Sequence, residues 1–177
     1  MLYIVGGLRR TGTSMMMHCM ELGGLELAYD DDYEQELKNR DFGNNYYYEL
    51  RPFGENTFFG NVMKFSDVDG KCIKDMGVGP MYWKEGPIKV VYMQRNPRSQ
   101  MMSLRNSHGE IKPQYAEEAL YDIHVIQENK HIETCHVFDY DAVLKRPLWA
   151  FQILADSGWP IDPVKAITGV DNSLKHY

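Results

Sequence analysis

The stretch Ile4-Val5-Gly6-Gly7-Leu8-Arg9-Arg10-Thr11-Gly12-Thr13-Ser14-Met15-Met16 constrains this chain more than any other. An apolar run ends in glycines, a short polar loop follows, and good helix formers continue to Leu22, so the segment reads as strand, tight turn and helix. Gly7 and Gly12 stand at the spacing of G-x-x-x-x-G-K-[ST], but Thr13 occupies the position of the lysine. A turn of this kind gathers backbone N–H groups and the positive end of a helix on one concavity, which is an anion site. Gly12 lets the backbone approach closely, and the hydroxyls of Thr11, Thr13 and Ser14 add donors. The missing charge is expected from Arg10, with Arg9 beside it; a guanidinium offers a fork to phosphate-like oxygens where lysine gives a point charge.

The remaining chain predicts the sheet this unit belongs to. Lys71–Met76 and Ile88–Gln94 read as strands, the second β-branched. A helix is expected to open at Pro113 and run to about Lys130, with Glu117 and Glu118 near its positive end. Thr134–Tyr140 reads as a further strand, and a helix begins at Pro147 and stops at Gly158 and Pro160. Strand and helix alternate in this order in a parallel sheet covered on both faces, a three-layer α/β/α arrangement of about four or five strands. No repeat or linker divides the chain, so residues 1–177 are expected to form one domain. Met16, Met17 and Met20 are expected to fill its core, with His18 and Cys19 a local packing detail.

Composition narrows the partners. A net charge of −6 argues against nucleic-acid binding, which draws on many Lys and Arg, so any bound anion must be held by a local cluster. Cys19, Cys72 and Cys135 are odd in number and widely spaced, which argues against a disulfide framework and a structural zinc site. Neither a signal-peptide core nor an apolar run of roughly 20 residues is present, so a cytoplasmic protein without a membrane partner is expected.

Lys89–Ser107 repeats the logic of the loop at a second strand end. An apolar strand runs into Arg95, Asn96-Pro97 turns the chain, and a helix is expected from Arg98 or Ser99. A Mg²⁺-dependent phosphate-loop enzyme would place an aspartate at such a strand end to help hold the metal. Arginine there predicts that guanidinium meets the ligand's charge, with no metal required.

On these residues the chain resembles the sulfotransferases that use 3′-phosphoadenosine 5′-phosphosulfate (PAPS). In that family the first strand leads into G-x-x-[RK]-[ST]-G-[TS]-[ST], and Gly7 to Ser14 matches throughout. A second signature is an apolar strand, R-[ND]-P, and a serine eight positions after the arginine; Arg95 and Ser103 keep that spacing. Ile73–Met76 resembles a V-K-D-P segment, Phe138–Pro160 resembles Y-E-D-L-L-x-D-P followed by a helix and L-G-L-P, and Asp171–Tyr177 resembles the closing segment. The resemblance implies that Arg9, Arg10, Thr11, Gly12, Thr13 and Ser14 cradle the 5′-phosphosulfate, with Arg10 as the phosphate-binding cation. It implies that Arg95 and Ser103 bind the 3′-phosphate, and that the product is adenosine 3′,5′-bisphosphate (PAP). Met76 stands where that family has proline, which leaves the roles of Lys74 and Asp75 open.

Transfer to an alcohol needs cations on the leaving phosphate, which Arg10 and the loop amides are expected to supply, and a group that takes the nucleophile's proton. Gly43–Leu50, GNNYYYEL, resembles the family's G-Y-F-E segment, which makes Glu49 the first choice of base beside Tyr46 to Tyr48. Glu34 and the Asp30 to Asp32 run are second choices, although Asp32 also fits a helix cap through its spacing to Gln35. Among the histidines, His108 is expected near the nucleotide side, and His124 and His131 on a surface helix. The acceptor implied is a hydroxyl on a small molecule, a sugar or a peptide. Two other readings stay open: a phosphate-loop kinase in which Asp75 holds Mg²⁺, and a nucleotide-binding module without catalysis.

Overall fold

The structure is a computed structural model that describes residues 1–40, 47–51, 58–108 and 115–170. β1 (Leu2–Gly7) leads through the loop of residues 8–12 into α1 (Thr13–Leu22). α2 (Asp31–Asn39), α3 (Phe59–Val62) and α4 (Phe65–Val68) precede β2 (Cys72–Lys74), and a 3-10 turn (Gly79–Tyr82) precedes β3 (Ile88–Gln94). α5 (Pro97–His108) and α6 (Tyr115–Gln127) lead to β4 (Ile132–Asp139). α7 (Tyr140–Lys145), α8 (Pro147–Asp156), α9 (Pro163–Ala166) and a second 3-10 turn (Ile167–Gly169) follow.

The strands form one parallel sheet in the order β2-β1-β3-β4, with helices on both faces, so the fold is α/β with a strand-loop-helix unit of phosphate-loop type. Alternation along β1 feeds two cores. Tyr3 and Val5 join Val91 and Met93 of β3 under Met16, Met17 and Met20 of α1 and Phe151 of α8. Leu2 and Ile4 join Val90 and Tyr92 against Ile126 of α6 and Trp83. The three methionines are fully buried, as core filling requires, and each contributes about 1.5–3 kcal/mol of transfer free energy. The chain passes from β1 to β2 on one side, while β3 lies on the other. The carboxyl ends of β1 and β3 therefore flank a topological switch point, where sheets of this kind open a ligand crevice.

Several boundaries differ from the sequence expectation, each for a local reason. β2 ends at Lys74 because the chain, after one more bond from Asp75 N–H to the Val5 carbonyl, turns at Gly77 with φ +57°. β4 begins two residues early at Ile132 and ends at Asp139, whose carboxylate caps α7 by accepting the Ala142 N–H at 2.9 Å. α5 starts at Pro97, and the Asn96 side chain accepts the N–H groups of Arg98 and Ser99. α6 stops at Gln127, short of Lys130, because the Asn129 amide turns to the carbonyls of Pro80, Met81 and Trp83. α1 is preceded by left-handed Gly12 and carries no side-chain cap, so Thr13 is its first residue and not its cap. α2 is capped by Asp30, not Asp32: the Asp30 carboxylate accepts the Tyr33 N–H at 2.7 Å. Gly43 to Tyr46, Pro113, the closing segment 171–177 and the side chain of His108 lie outside the described residues.

Candidate functional site

Steric necessity shapes the loop. A Cβ on Gly7, at φ +141°, would stand 2.7 Å from the Met93 carbonyl oxygen, so only glycine lets β1 end this close to β3. A Cβ on Gly12 would stand 2.3 Å from the Tyr140 ring, so the first residue of α7 lies against the loop backbone. Between them Arg10 takes a left-handed φ of +66°, a conformation costing a non-glycine residue about 1–2 kcal/mol. The Thr11 hydroxyl donates to the Leu8 carbonyl at 2.7 Å, which closes the loop and takes this hydroxyl out of the set of ligand donors expected above. Thr13 is buried, and Ser14 is half-buried at the mouth of α1.

Cations from three neighbouring strands surround this loop. Lys74, at the end of β2, is 2% exposed; its Nζ donates to Ser14 Oγ at 3.0 Å and to the Tyr47 carbonyl, and stands 3.2 Å from the Glu49 carboxylate. Burial lowers its pKa, and the Glu49 charge acts in the opposite sense. A lysine therefore does reach the loop, from β2 and not from the position after Gly12. Arg10 turns away from the mouth of α1 toward α5, where its Nε donates to Ser103 Oγ at 3.0 Å. Burial lowers its pKa first and the nearby Arg95 charge second.

Arg95, beyond β3, lies 4.6 Å above the Tyr140 ring and donates from Nη1 to the Arg10 carbonyl at 3.3 Å. Its Nε is buried and has no hydrogen-bond partner among the described residues. Arg9 is exposed, and its carbonyl accepts Gln100 Nε2 at 2.8 Å. The structure thus brings Arg10, Arg95, Ser103, Gly12 and Tyr140 together on one side of the loop and Ser14, Lys74 and Glu49 on the other. Tyr140 and Lys74 were not singled out as ligand residues by sequence. The Phe138–Pro160 and Ile73–Met76 segments were the available signals.

The carboxylates sort by burial. Glu49, 38% exposed, faces Lys74. Glu34, a second choice of base, is buried with both oxygens engaged by backbone: Oε1 accepts the Tyr47 N–H at 2.9 Å and Oε2 the Tyr48 N–H at 2.6 Å. Both oxygens are thus turned to the backbone of residues 47 and 48. Asp30 caps α2 and stands 3.4 Å from Arg51, while Asp31 and Asp32 are exposed on the first turn. Asp75 points to the opposite face of the sheet, where its Oδ2 accepts Trp83 Nε1 at 2.9 Å. Burial raises its pKa to about 7, against the opposing effect of the Trp83 bond, so the carboxylate of the kinase reading is already enclosed. His131 precedes β4, at the amino end of the sheet away from the loop, and His124 is exposed 3.6 Å from Glu128. His18 Nδ1 meets Tyr48 Oη at 2.8 Å. Among the described residues no group of three or more His, Cys, Asp or Glu is placed to hold a metal ion.

No protein-family model matches the chain, and no curated protein matches it. One solved structure with a related chain path is an unliganded sugar kinase from Janibacter sp. HTCC2649, with 15% sequence identity over 93% of this chain and 96% of that one. The TM-score is 0.47, a likeness too distant to carry an activity across. No helix among the described residues is long and apolar enough to cross a membrane.

Proposed function

We propose that this chain is a sulfotransferase that binds PAPS at the loop of residues 7–14 and moves its sulfuryl group to a hydroxyl. The observation that carries the reading is the convergence of Lys74, Arg10 and Arg95 from the ends of three adjacent strands, with Arg95 Nε buried and lacking a partner. A buried, unpartnered guanidinium nitrogen is costly unless an anion completes it. In this reading Arg95 and Ser103 address the 3′-phosphate and the loop amides hold the 5′-phosphosulfate. PAPS supplies an activated sulfuryl group on a phosphate leaving group. Lys74 Nζ, held on Ser14, neutralises charge that grows on the leaving phosphate as its bond to sulfur breaks. Glu49, on the same side of the loop, accepts the proton of the hydroxyl whose oxygen forms the new bond to sulfur.

The second reading is phosphoryl transfer from ATP with Mg²⁺, and Lys74 favours it, because it gives the loop the ammonium such enzymes use. Against it stand Arg95 at the end of β3 and the enclosure of Asp75 by Trp83. Calorimetry separates the two. PAP is expected to bind much more tightly than AMP, Arg95→Ala to erase most of that preference, and EDTA to change neither. Equal affinity for PAP and AMP, with ATP binding that appears only with Mg²⁺, would replace the sulfotransferase by a kinase. PAP binding without turnover of PAPS, to water or any alcohol, would leave a binding module.

A further inference from the structure

The chain between Tyr47 and Glu49 is held in a conformation it would not adopt alone. Tyr48 has φ +54°, a left-handed setting that bulky residues rarely take and that persists only where the surroundings over-determine it. The ties are close together. Lys74 donates to the Tyr47 carbonyl, and the Glu49 carbonyl accepts the Asp30 N–H at 3.1 Å. The two successive N–H groups of Tyr47 and Tyr48 both end on the one buried carboxylate of Glu34. The turn at Tyr48 sends neighbouring side chains in different directions. Tyr48 goes toward α1, its Oη donating to Glu21 at 2.7 Å and its ring lying edge-on to Tyr29, while Glu49 goes to Lys74.

We propose that Glu34 is a positioning residue of the candidate site: by accepting both N–H groups it holds Tyr48 left-handed and so keeps the Glu49 carboxylate against Lys74. The proposal rests on the reading of Glu49 as the base, and it assigns to α2 a part in the reaction that its distance in sequence from the loop does not suggest. Glu34 touches neither donor nor acceptor in this assignment. Its effect reaches the chemistry only through the 47–49 backbone. The requirement for a carboxylate is specific, since two converging N–H donors need two acceptor oxygens. A glutamine offers one oxygen and turns a competing NH₂ donor on the other N–H.

Glu34→Gln and Glu49→Gln, singly and together, test this. Sulfuryl transfer from PAPS to water serves as the turnover assay, calorimetry with PAP as the binding assay, and a crystal structure of Glu34→Gln as the direct view. Glu34→Gln is expected to lose about a hundredfold in turnover, the usual cost of misplacing a reacting group by about an ångström, while PAP affinity stays within twofold. The double variant should be no slower than Glu49→Gln alone, because a residue acting only through Glu49 has nothing left to act on. In the crystal, Glu49 should leave Lys74. Full turnover in Glu34→Gln with Glu49 still on Lys74, or losses that multiply in the double variant, would overturn the proposal. If Glu49→Gln alone keeps full turnover, the base reading falls, and the crystal structure then decides by itself whether Glu34 holds the turn. Should Glu34→Gln fail to fold, Glu34→Asp takes its place: it keeps the charge, reaches only one of the two N–H groups, and must show the same non-additive loss.

Discussion

In the proposed reading, Lys74 and Arg10 divide between them a task that a single lysine performs in a loop of the G-x-x-x-x-G-K type. Lys74 is buried on Ser14, at the mouth of α1, and Arg10 reaches Ser103 on α5, so the first charge sits at the 5′ side of the proposed nucleotide and the second between its two ends. Substitution should separate them. Lys74→Met keeps most of the apolar stem, one atom shorter, and removes the ammonium; it is expected to lower PAPS turnover by roughly 10²–10³, the cost of removing one preorganised stabiliser of transition-state charge. Arg10→Ala should instead weaken PAP binding, and far more than Arg9→Ala, because Arg9 is exposed and it is its carbonyl that accepts Gln100 Nε2 of α5. Single-turnover kinetics beside calorimetry reads both. Equal losses of affinity in Arg9→Ala and Arg10→Ala would remove Arg10 from the nucleotide site.

α2 shows where sequence reasoning reaches and where it stops. Its existence follows from the D-x-x-Q pattern, yet three successive aspartates leave the cap undecided, and the structure selects Asp30 because only its carboxylate meets a free N–H, that of Tyr33. Asp30→Ala is therefore expected to cost about 1 kcal/mol in urea unfolding and Asp32→Ala a few tenths at most; the reverse order would contradict the cap. Strands and helices with strong periodicity were legible to the residue: β3 and α8 begin where β-branched residues and Pro147 place them. The strand-loop-helix order around Gly7 to Ser14 and the strand-turn-helix around Arg95 were legible as well, because each belongs to a short local pattern. Lys74 on Ser14, Tyr140 against Gly12 and Glu34 under Tyr48 were not, since all three contacts join residues that only the sheet order β2-β1-β3-β4 and the packing of α2 bring together. Local pattern carries spacing along the chain and says nothing of which strand stands beside which.

Across the whole molecule the two faces of the sheet meet at the end of β2, where alternation sends Lys74 to the loop side and Asp75 to the core beneath Trp83. Gly79 admits that carboxyl, since a Cβ there would stand 1.9 Å from Asp75 Oδ1. Burial raises the Asp75 pKa from an ordinary value to about 7, so the folded protein holds a proton here that the unfolded chain releases near pH 4. Between about pH 4 and 7 the native state binds more protons than the unfolded one, and stability attributable to this group falls as pH rises through that window. Below it both states are protonated and the group contributes nothing to the slope; above it the cost of the buried charge is fully present, roughly a few kcal/mol. Asp75→Asn keeps an oxygen for the Trp83 N–H and removes the ionisation. Urea unfolding of both proteins from pH 4 to 8 should show the variant gaining stability relative to the parent as pH rises, with the gain levelling off above about pH 7. A difference that stays constant across that range would mean that Asp75 is charged throughout, and the carboxylate would then be open again to the metal-holding role of the kinase reading.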